Sequence, residues 1–147
     1  MNTAYLNIFK RLFTLVCMGL ALSGTAKAAE KSFGDYVVHY NAFNSTFLLP
    51  NVAKAYGIER SPKLGLINTS VLKNGKSVKA KVAVESANLM AQKKNLKTWL
   101  VDEGDAMYYL SSFKFTHDEL LHFTIQVQPE GSNLRETVKF SQKFYKD

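Results

Sequence analysis

Alternation of apolar and polar residues with a period of two runs through the chain from Phe33 onwards. It is clearest over residues 121–128, where four apolar side chains alternate with four polar ones. Successive side chains of a β-strand point to opposite faces, so this pattern predicts a strand with one buried and one solvated face. Pro129 and Gly131 would end that strand, and residues 134–145 are predicted to form the next one.

The dipeptide Asn74-Gly75 predicts a tight hairpin, because both residues tolerate the positive φ of a type I′ turn. This turn fixes which residues would face each other on the two strands. The predicted apolar pairs are Val71 with Val78, Thr69 with Ala80 and Ile67 with Val82, and the predicted polar pairs are Ser70 with Lys79 and Asn68 with Lys81. A shift of one residue would mix the two faces, so the turn and the alternation support the same register.

Three further strands are predicted, over residues 34–42, 96–101 and 106–115. Pro50 suits a first helical position and Gly57 a helix end, so residues 50–56 are predicted to form one or two helical turns. Residues 87–94 fit either a short helix or a loop. About seven short antiparallel strands, separated by regular turn signals, predict an all-β fold, an immunoglobulin-like β-sandwich.

The first 28 residues have the organisation of a secretory signal peptide. A basic pair at residues 10–11 precedes an apolar run over residues 12–22, and an Ala-x-Ala cleavage site ends at Ala28. The run is shorter than the roughly 20 apolar residues that a membrane span needs. We therefore predict cleavage after Ala28, one domain over residues 29–147 and a periplasmic location, with no transmembrane segment in the mature chain.

Cleavage would leave 119 of the 147 residues, enough for a single hydrophobic core. The chain has 19 basic and 12 acidic residues, and three of the basic ones would leave with the signal peptide, so the mature net charge would be +4. This modest excess does not indicate a nucleic-acid partner. Cys17, the only cysteine, lies in the predicted signal peptide, so the mature domain would fold without a disulfide.

Four segments resemble a known family, at residues 34–44 (GDYVVHYNAFN), 55–58 (AYGI), 103–109 (EGDAMYY) and 140–145 (FSQKFY). Together they are similar to small exported proteins of Gram-negative bacteria that are known only as a domain of unknown function. The resemblance would cover nearly the whole mature chain. It implies a single immunoglobulin-like β domain in the periplasm, and it assigns no activity and no catalytic residue.

The residues themselves do not indicate an enzyme or a cofactor. The chain lacks a Gly-x-Ser-x-Gly motif, and no cysteine would remain after cleavage. Thr116, His117 and Asp118 are the residue types of a catalytic relay, but direct neighbours on a turn cannot converge on one proton path. We therefore predict that the protein is not an enzyme.

Metal binding has only weak candidates in the sequence. Three carboxylates flank Gly104, namely Asp102, Glu103 and Asp105. They lack the ligand spacing of a recognised calcium loop, and acidic residues with glycine commonly form turns. An alternative remains in which the chain binds a small ligand or calcium, or is a hydrolase that uses loop 102–105 with His117 or His122 as the base.

The preferred prediction is a non-enzymatic interaction module or envelope-associated protein that contacts another envelope protein through a sheet edge or an exposed surface. The candidate contact residues are Lys79 and Lys81 on the hairpin, together with Phe43 and Phe47 in and beside loop 44–49. Lysines on an exposed strand also deter edge-to-edge association, which is the simpler explanation of the hairpin charges. The oligomeric state and the identity of the partner stay open.

Overall fold

Two antiparallel β-sheets pack face to face in the computed structural model, which describes residues 28–147. Apart from Ala28, the predicted signal peptide lies outside the described residues. The strands are β1 (Ala29–Phe33), β2 (Tyr36–Asn44), β3 (Leu64–Lys73), β4 (Lys76–Ser77), β5 (Ala80–Ala87), β6 (Lys93–Asn95), β7 (Lys97–Asp102), β8 (Met107–Lys114), β9 (Glu119–Pro129) and β10 (Glu136–Phe144). A 3₁₀ turn (Ser45–Phe47) and helix α1 (Pro50–Ala55) lie between β2 and β3.

Sheet A has the strand order β1-β2-β3-β8-β7, with β4 also paired to β3, and sheet B has the order β10-β9-β5-β6. The all-β sandwich predicted from the alternation is confirmed, and the immunoglobulin-like class stays a prediction. The described part has ten strands where about seven were expected. Strands β1 and β6 carry no clear alternation, and the predicted second hairpin strand is divided into β4 and β5.

The Asn74-Gly75 turn forms as predicted, with φ values of 50° and 75°. Lys73 lies opposite Lys76, and the backbone N–H of Val78 donates to the carbonyl of Val71 at 2.9 Å. The predicted register is therefore correct as far as Val78.

Beyond Val78 the predicted pairing is wrong, because the chain leaves sheet A and enters sheet B. Ala80 lies opposite Pro129 and Val82 opposite Val127, while β8 places Tyr109 opposite Thr69 and Ser111 opposite Ile67. The pairs of Ser70 with Lys79 and Asn68 with Lys81 are wrong for the same reason. Alternation decides which face of a strand is buried, and an apolar face can be buried equally well from either sheet.

The sandwich core is filled by the inward side chains of both sheets, with a cluster of phenylalanines at one end. The ring of Phe113 lies 4.9 Å from the rings of both Phe123 and Phe144, measured between centroids. Gly65 lies opposite Phe113 on the neighbouring strand, and a Cβ atom at Gly65 would be 2.1 Å from the Phe113 ring. Because glycine has no side chain, the Phe113 ring can occupy the space above Gly65.

A second apolar cluster covers the outer face of sheet A. Leu48, Val52 and Ile58, from the segment that contains α1, pack with Leu66 and Leu110 of the sheet. Pro50 begins α1, as predicted, and the helix ends at Ala55. No such segment covers the outer face of sheet B in the part of the chain that the structure describes.

The strand register divides the loops between two ends of the sandwich. At the first, here called the C-terminal end, β3 begins, β5 and β8 end, and the chain finishes after β10. Loops 88–92 and 115–118 lie at this end, and segment 45–63 begins and finishes there after crossing the outer face of sheet A. The opposite end, here called the hairpin end, carries the Asn74-Gly75 turn and loops 103–106 and 130–135. In residues 87–94, left open between helix and loop, Ala87 ends β5, residues 88–92 form the connecting loop and residues 93–94 begin β6.

Candidate functional site

The acidic loop does not assemble a cluster of carboxylates. Asp102 accepts a hydrogen bond from the backbone N–H of Gly104 at 2.9 Å, which is the bond of a turn-forming aspartate. The Glu103 carboxylate instead accepts the hydroxyl of Tyr56. Over residues 28–147 there is no group of three or more His, Cys, Asp or Glu side chains that could hold a metal ion.

The two candidate histidines lie far from the acidic loop. His117 is at the C-terminal end, where its Nδ1 accepts the backbone N–H of Lys146 at 3.2 Å. Loop 103–106 and His117 are separated by the eight residues of β8, or about 25 Å at the rise of a strand. His122 is on the other sheet, with its Nδ1 2.6 Å from Ser141 Oγ. The carboxylates of loop 102–105 therefore do not lie within hydrogen-bond reach of His117 or His122, as the alternative hydrolase would require.

The two candidate lysines are both exposed. Lys79 lies in the crossover between β4 and β5, where its carbonyl accepts the backbone N–H of Glu130 at 2.9 Å. Lys81 is on β5, opposite Gln128, and its side chain is exposed on the outer face of sheet B.

The two candidate phenylalanines also have different environments. Phe43 is partly buried against the second apolar cluster on sheet A. Phe47 is 58% exposed at the C-terminal end. Lys79, Lys81 and Phe47 are thus exposed, whereas Phe43 is partly buried.

A groove runs across the uncovered outer face of sheet B, and we call it the sheet B groove. It consists of two adjoining depressions of about 430 and 330 Å³, which share Ala83, Gln126 and Thr137. These three residues lie opposite one another on β5, β9 and β10. The small side chains of Ala83 and Thr137 leave the space, while longer side chains on neighbouring rows form its walls.

The sheet B groove is positively charged. Four cations (Lys81, Lys93, Arg135 and Lys139) and two anions (Glu85 and Glu136) line it. Both anions are neutralised locally, Glu85 by Lys93 at 3.1 Å and Glu136 by Lys31 at 2.8 Å. The hydrogen bond from Lys31, together with the N–H of Thr137, lowers the pKa of Glu136 from its ordinary value. Among the described residues, Lys81, Arg135 and Lys139 have no ion-pair partner.

Sequence reasoning missed this groove, although it identified Lys81. The alternation shows that Lys81, Ala83 and Gln126 point outward, but it does not show that β5 and β9 are neighbours. Only the crossing of β5 into sheet B brings their outward side chains together.

Comparison with known proteins supports the sandwich and places the chain in a family. A DUF4426 family protein from Pseudomonas aeruginosa (PA0388), solved as a crystal structure, is 38% identical, with a TM-score of 0.73, and the match covers 82% of this chain and 96% of that one. FetP of uropathogenic E. coli, expressed recombinantly in the periplasm, is 7% identical, with a TM-score of 0.54 over 85% of this chain and 98% of FetP. A copper-bound FetP variant is 7% identical, with a TM-score of 0.53 over 81% of this chain and 95% of the variant.

The two FetP structures share only the fold with this chain, because their sequence identity is so low. No curated protein matches the sequence. Among residues 28–147 no helix is long and apolar enough to cross a bilayer. The profile of the family described as a domain of unknown function, DUF4426, matches residues 30–147, and the chain therefore belongs to the DUF4426 family.

Proposed function

We propose that this chain is an exported, non-enzymatic binding protein of the Gram-negative periplasm, whose sheet B groove holds an acidic segment of another envelope protein. The observation that carries the proposal is the uncompensated positive charge of the groove on the only sheet face left uncovered in the described part of the chain. Unpaired cations beside amide side chains favour carboxylate-bearing partners, because Coulomb attraction steers the encounter and the amides add hydrogen bonds.

Contact through the face of sheet B is favoured over pairing at its edge. At the free edge of β10 the N–H of Thr137 donates to Glu136 at 2.9 Å, and its carbonyl accepts Lys31 Nζ at 3.2 Å. These side chains occupy backbone groups that an added strand would need. Strand addition would have to displace them, whereas a segment lying in the groove would not.

The periplasmic location is supported by the predicted signal peptide and by the family resemblance. The fold shared with FetP, which was expressed in the periplasm, is compatible with that compartment. Copper binding, which is a property of the FetP variant, is not included in the proposal, because the described residues contain no cluster of ligands for it.

The proposal is tested by a pulldown from periplasmic extract with the exported protein as bait. We expect the wild type to retain a specific partner at low salt and to lose it as ionic strength rises. The double variant Lys81→Glu, Lys139→Glu should reduce the recovery about tenfold, since it reverses two charges that line the groove.

A matched control variant reverses the same number of charges outside the groove. Lys54→Glu with Lys76→Glu alters two exposed lysines on the sheet A side, so partner recovery should stay at the wild-type level. Equal recovery by the groove variant and the control, or no partner retained by the wild type, would refute the proposal.

A further inference from the structure

The C-terminal end of the sandwich exposes an unusual number of large apolar side chains. Seven large hydrophobic residues are exposed in the part of the chain that the structure describes, and five of them lie at this end. They are Phe47, Leu49, Leu89, Met90 and Tyr145. Leu89 and Met90 are the most exposed of all, at 73% and 75%.

Leu89 and Met90 sit at the tip of a turn whose shape does not depend on them. Asn88 Oδ1 accepts the backbone N–H groups of Met90 at 3.1 Å and Gln92 at 3.0 Å, and Asn88 Nδ2 donates to Gln92 Oε1 at 2.8 Å. Turn positions of this kind usually hold Gly, Pro, Asn, Asp or Ser. The turn therefore presents two adjacent apolar side chains to solvent without a structural need for them.

The segments that carry Phe47 and Tyr145 are joined by the docking of the C-terminal residues. Asn44 Nδ2 donates to the carbonyl of Tyr145 at 2.9 Å, and the hydroxyl of Thr46 donates to Asp147. The ring of Tyr145 also contacts the ring of His117 at 5.9 Å. These bonds connect loop 45–63, loop 115–118 and the chain end, so this second apolar tip is ordered as well.

Basic side chains surround both tips. Eight lie at or next to this end, namely Arg60, Lys63, Lys93, Lys94, Lys97, Lys114, Lys143 and Lys146, against four acidic ones, Glu59, Asp118, Glu119 and Asp147. Two of the cations are already paired, Lys143 with Asp118 at 2.8 Å and Lys93 with Glu85 of the neighbouring strand at 3.1 Å. The remaining excess of positive charge would face whatever the apolar tips contact.

We propose that the C-terminal end docks on the anionic surface of a lipid bilayer, with Leu89, Met90 and Phe47 entering the boundary between headgroups and acyl chains. Separate apolar tips carried on loops suit a soft lipid surface, and lysines around them match the phosphates of anionic headgroups. Tyr145 has the amphipathic ring that favours the interface. This surface is distinct from the sheet B groove, so the inference goes beyond the proposed function.

The test is co-sedimentation of the exported protein with vesicles of phosphatidylethanolamine containing one third phosphatidylglycerol. We expect binding to these vesicles, weaker binding to vesicles without phosphatidylglycerol, and loss of binding at high salt. Replacing the tip residues, Leu89→Ser with Met90→Ser, should weaken binding about tenfold, because two apolar contacts with the acyl region are lost. Lys63→Gln with Lys94→Gln, which changes no residue of the sheet B groove, should weaken binding to the anionic vesicles only.

The matched control is Leu100→Ser with Leu134→Ser, which removes two exposed apolar side chains outside the C-terminal end and should leave vesicle binding unchanged. The tip variant should still recover the periplasmic partner of the groove, which separates this inference from the proposed function. A wild type that stays in the supernatant, or a tip variant that sediments like the wild type, would overturn the inference. If the tip variant lost the protein partner and the wild type did not bind vesicles, the tips would contact a protein instead of a bilayer, and the inference would be refuted.

Discussion

The space above Gly65 gives the sharpest test of how the core is packed. A Cβ atom at this position would lie 2.1, 2.4 and 2.8 Å from three carbons of the Phe113 ring. All three distances are far below van der Waals contact, so Gly65→Ala must displace the ring. Phe113 is 4% exposed and packs against Phe115, Phe123 and Phe144, so the ring cannot move without disturbing its neighbours.

We expect Gly65→Ala to lower the free energy of unfolding by about 2–3 kcal/mol, the upper part of the range for overpacking a core. Phe113→Ala should cost about 3–5 kcal/mol through the cavity that it leaves. In the Phe113→Ala background the added methyl group has room in that cavity, so Gly65→Ala should then leave the free energy of unfolding nearly unchanged. The coupling in this double-mutant cycle should therefore be about 2–3 kcal/mol.

Urea denaturation, followed by circular dichroism, measures all four free energies. The slope of the free energy with urea concentration should be the same for the four proteins, so that midpoints can be compared. A Gly65→Ala variant within about 0.5 kcal/mol of the wild type would refute the reasoning, since that is the range of ordinary surface substitutions. An equal cost of Gly65→Ala in both backgrounds would refute it too, because the two positions would then act independently.

Two further predictions follow from the hairpin end and from the edge of sheet B. Gly75 has a φ of 75°, which disfavours residues with a Cβ atom, so Gly75→Ala should lower the free energy of unfolding by about 1 kcal/mol; an unchanged urea midpoint would contradict this. The Lys31 hydrogen bond lowers the pKa of Glu136, so the ion pair adds stability above the ordinary pKa of a glutamate, and this stability is lost as the pH falls through the lowered value. Lys31→Met should move the Glu136 pKa back towards its ordinary value in an NMR titration of the carboxyl group, and an unmoved pKa would show that the pair does not form in solution.

The sheet B groove and the C-terminal end lie on different surfaces of the sandwich. The groove is on the side of sheet B, whereas the apolar tips project from the loops at the strand ends. Docking of the end on a bilayer would therefore leave the groove exposed to a protein partner. The two proposals are compatible, and each has a variant that leaves the other surface intact.

The sequence predicted some of the exposed residues of the two candidate surfaces, but it did not predict which residues the fold would bring together. Lys81 and Phe47 were identified as exposed candidates, and they lie on the sheet B groove and on the C-terminal end. Lys79 falls in the crossover and Phe43 against the second apolar cluster, because the sequence does not reveal where the chain changes sheet or what covers the outer face of sheet A. The apolar tip at Leu89 and Met90 was missed, since residues 87–94 showed neither a strand nor a helix pattern.

The sequence by itself determined the properties that depend on neighbours along the chain. Alternation showed which side chains of most strands face inward, Asn74-Gly75 determined the turn, and Pro50 marked the start of the helix, because side-chain direction and backbone φ are local. Tertiary structure alone decided that β5 pairs with β9 instead of β3, and that five apolar side chains gather at one end. The physical reason is that every strand offers the same backbone donors and acceptors, so the choice among distant partners is made by packing of the whole core.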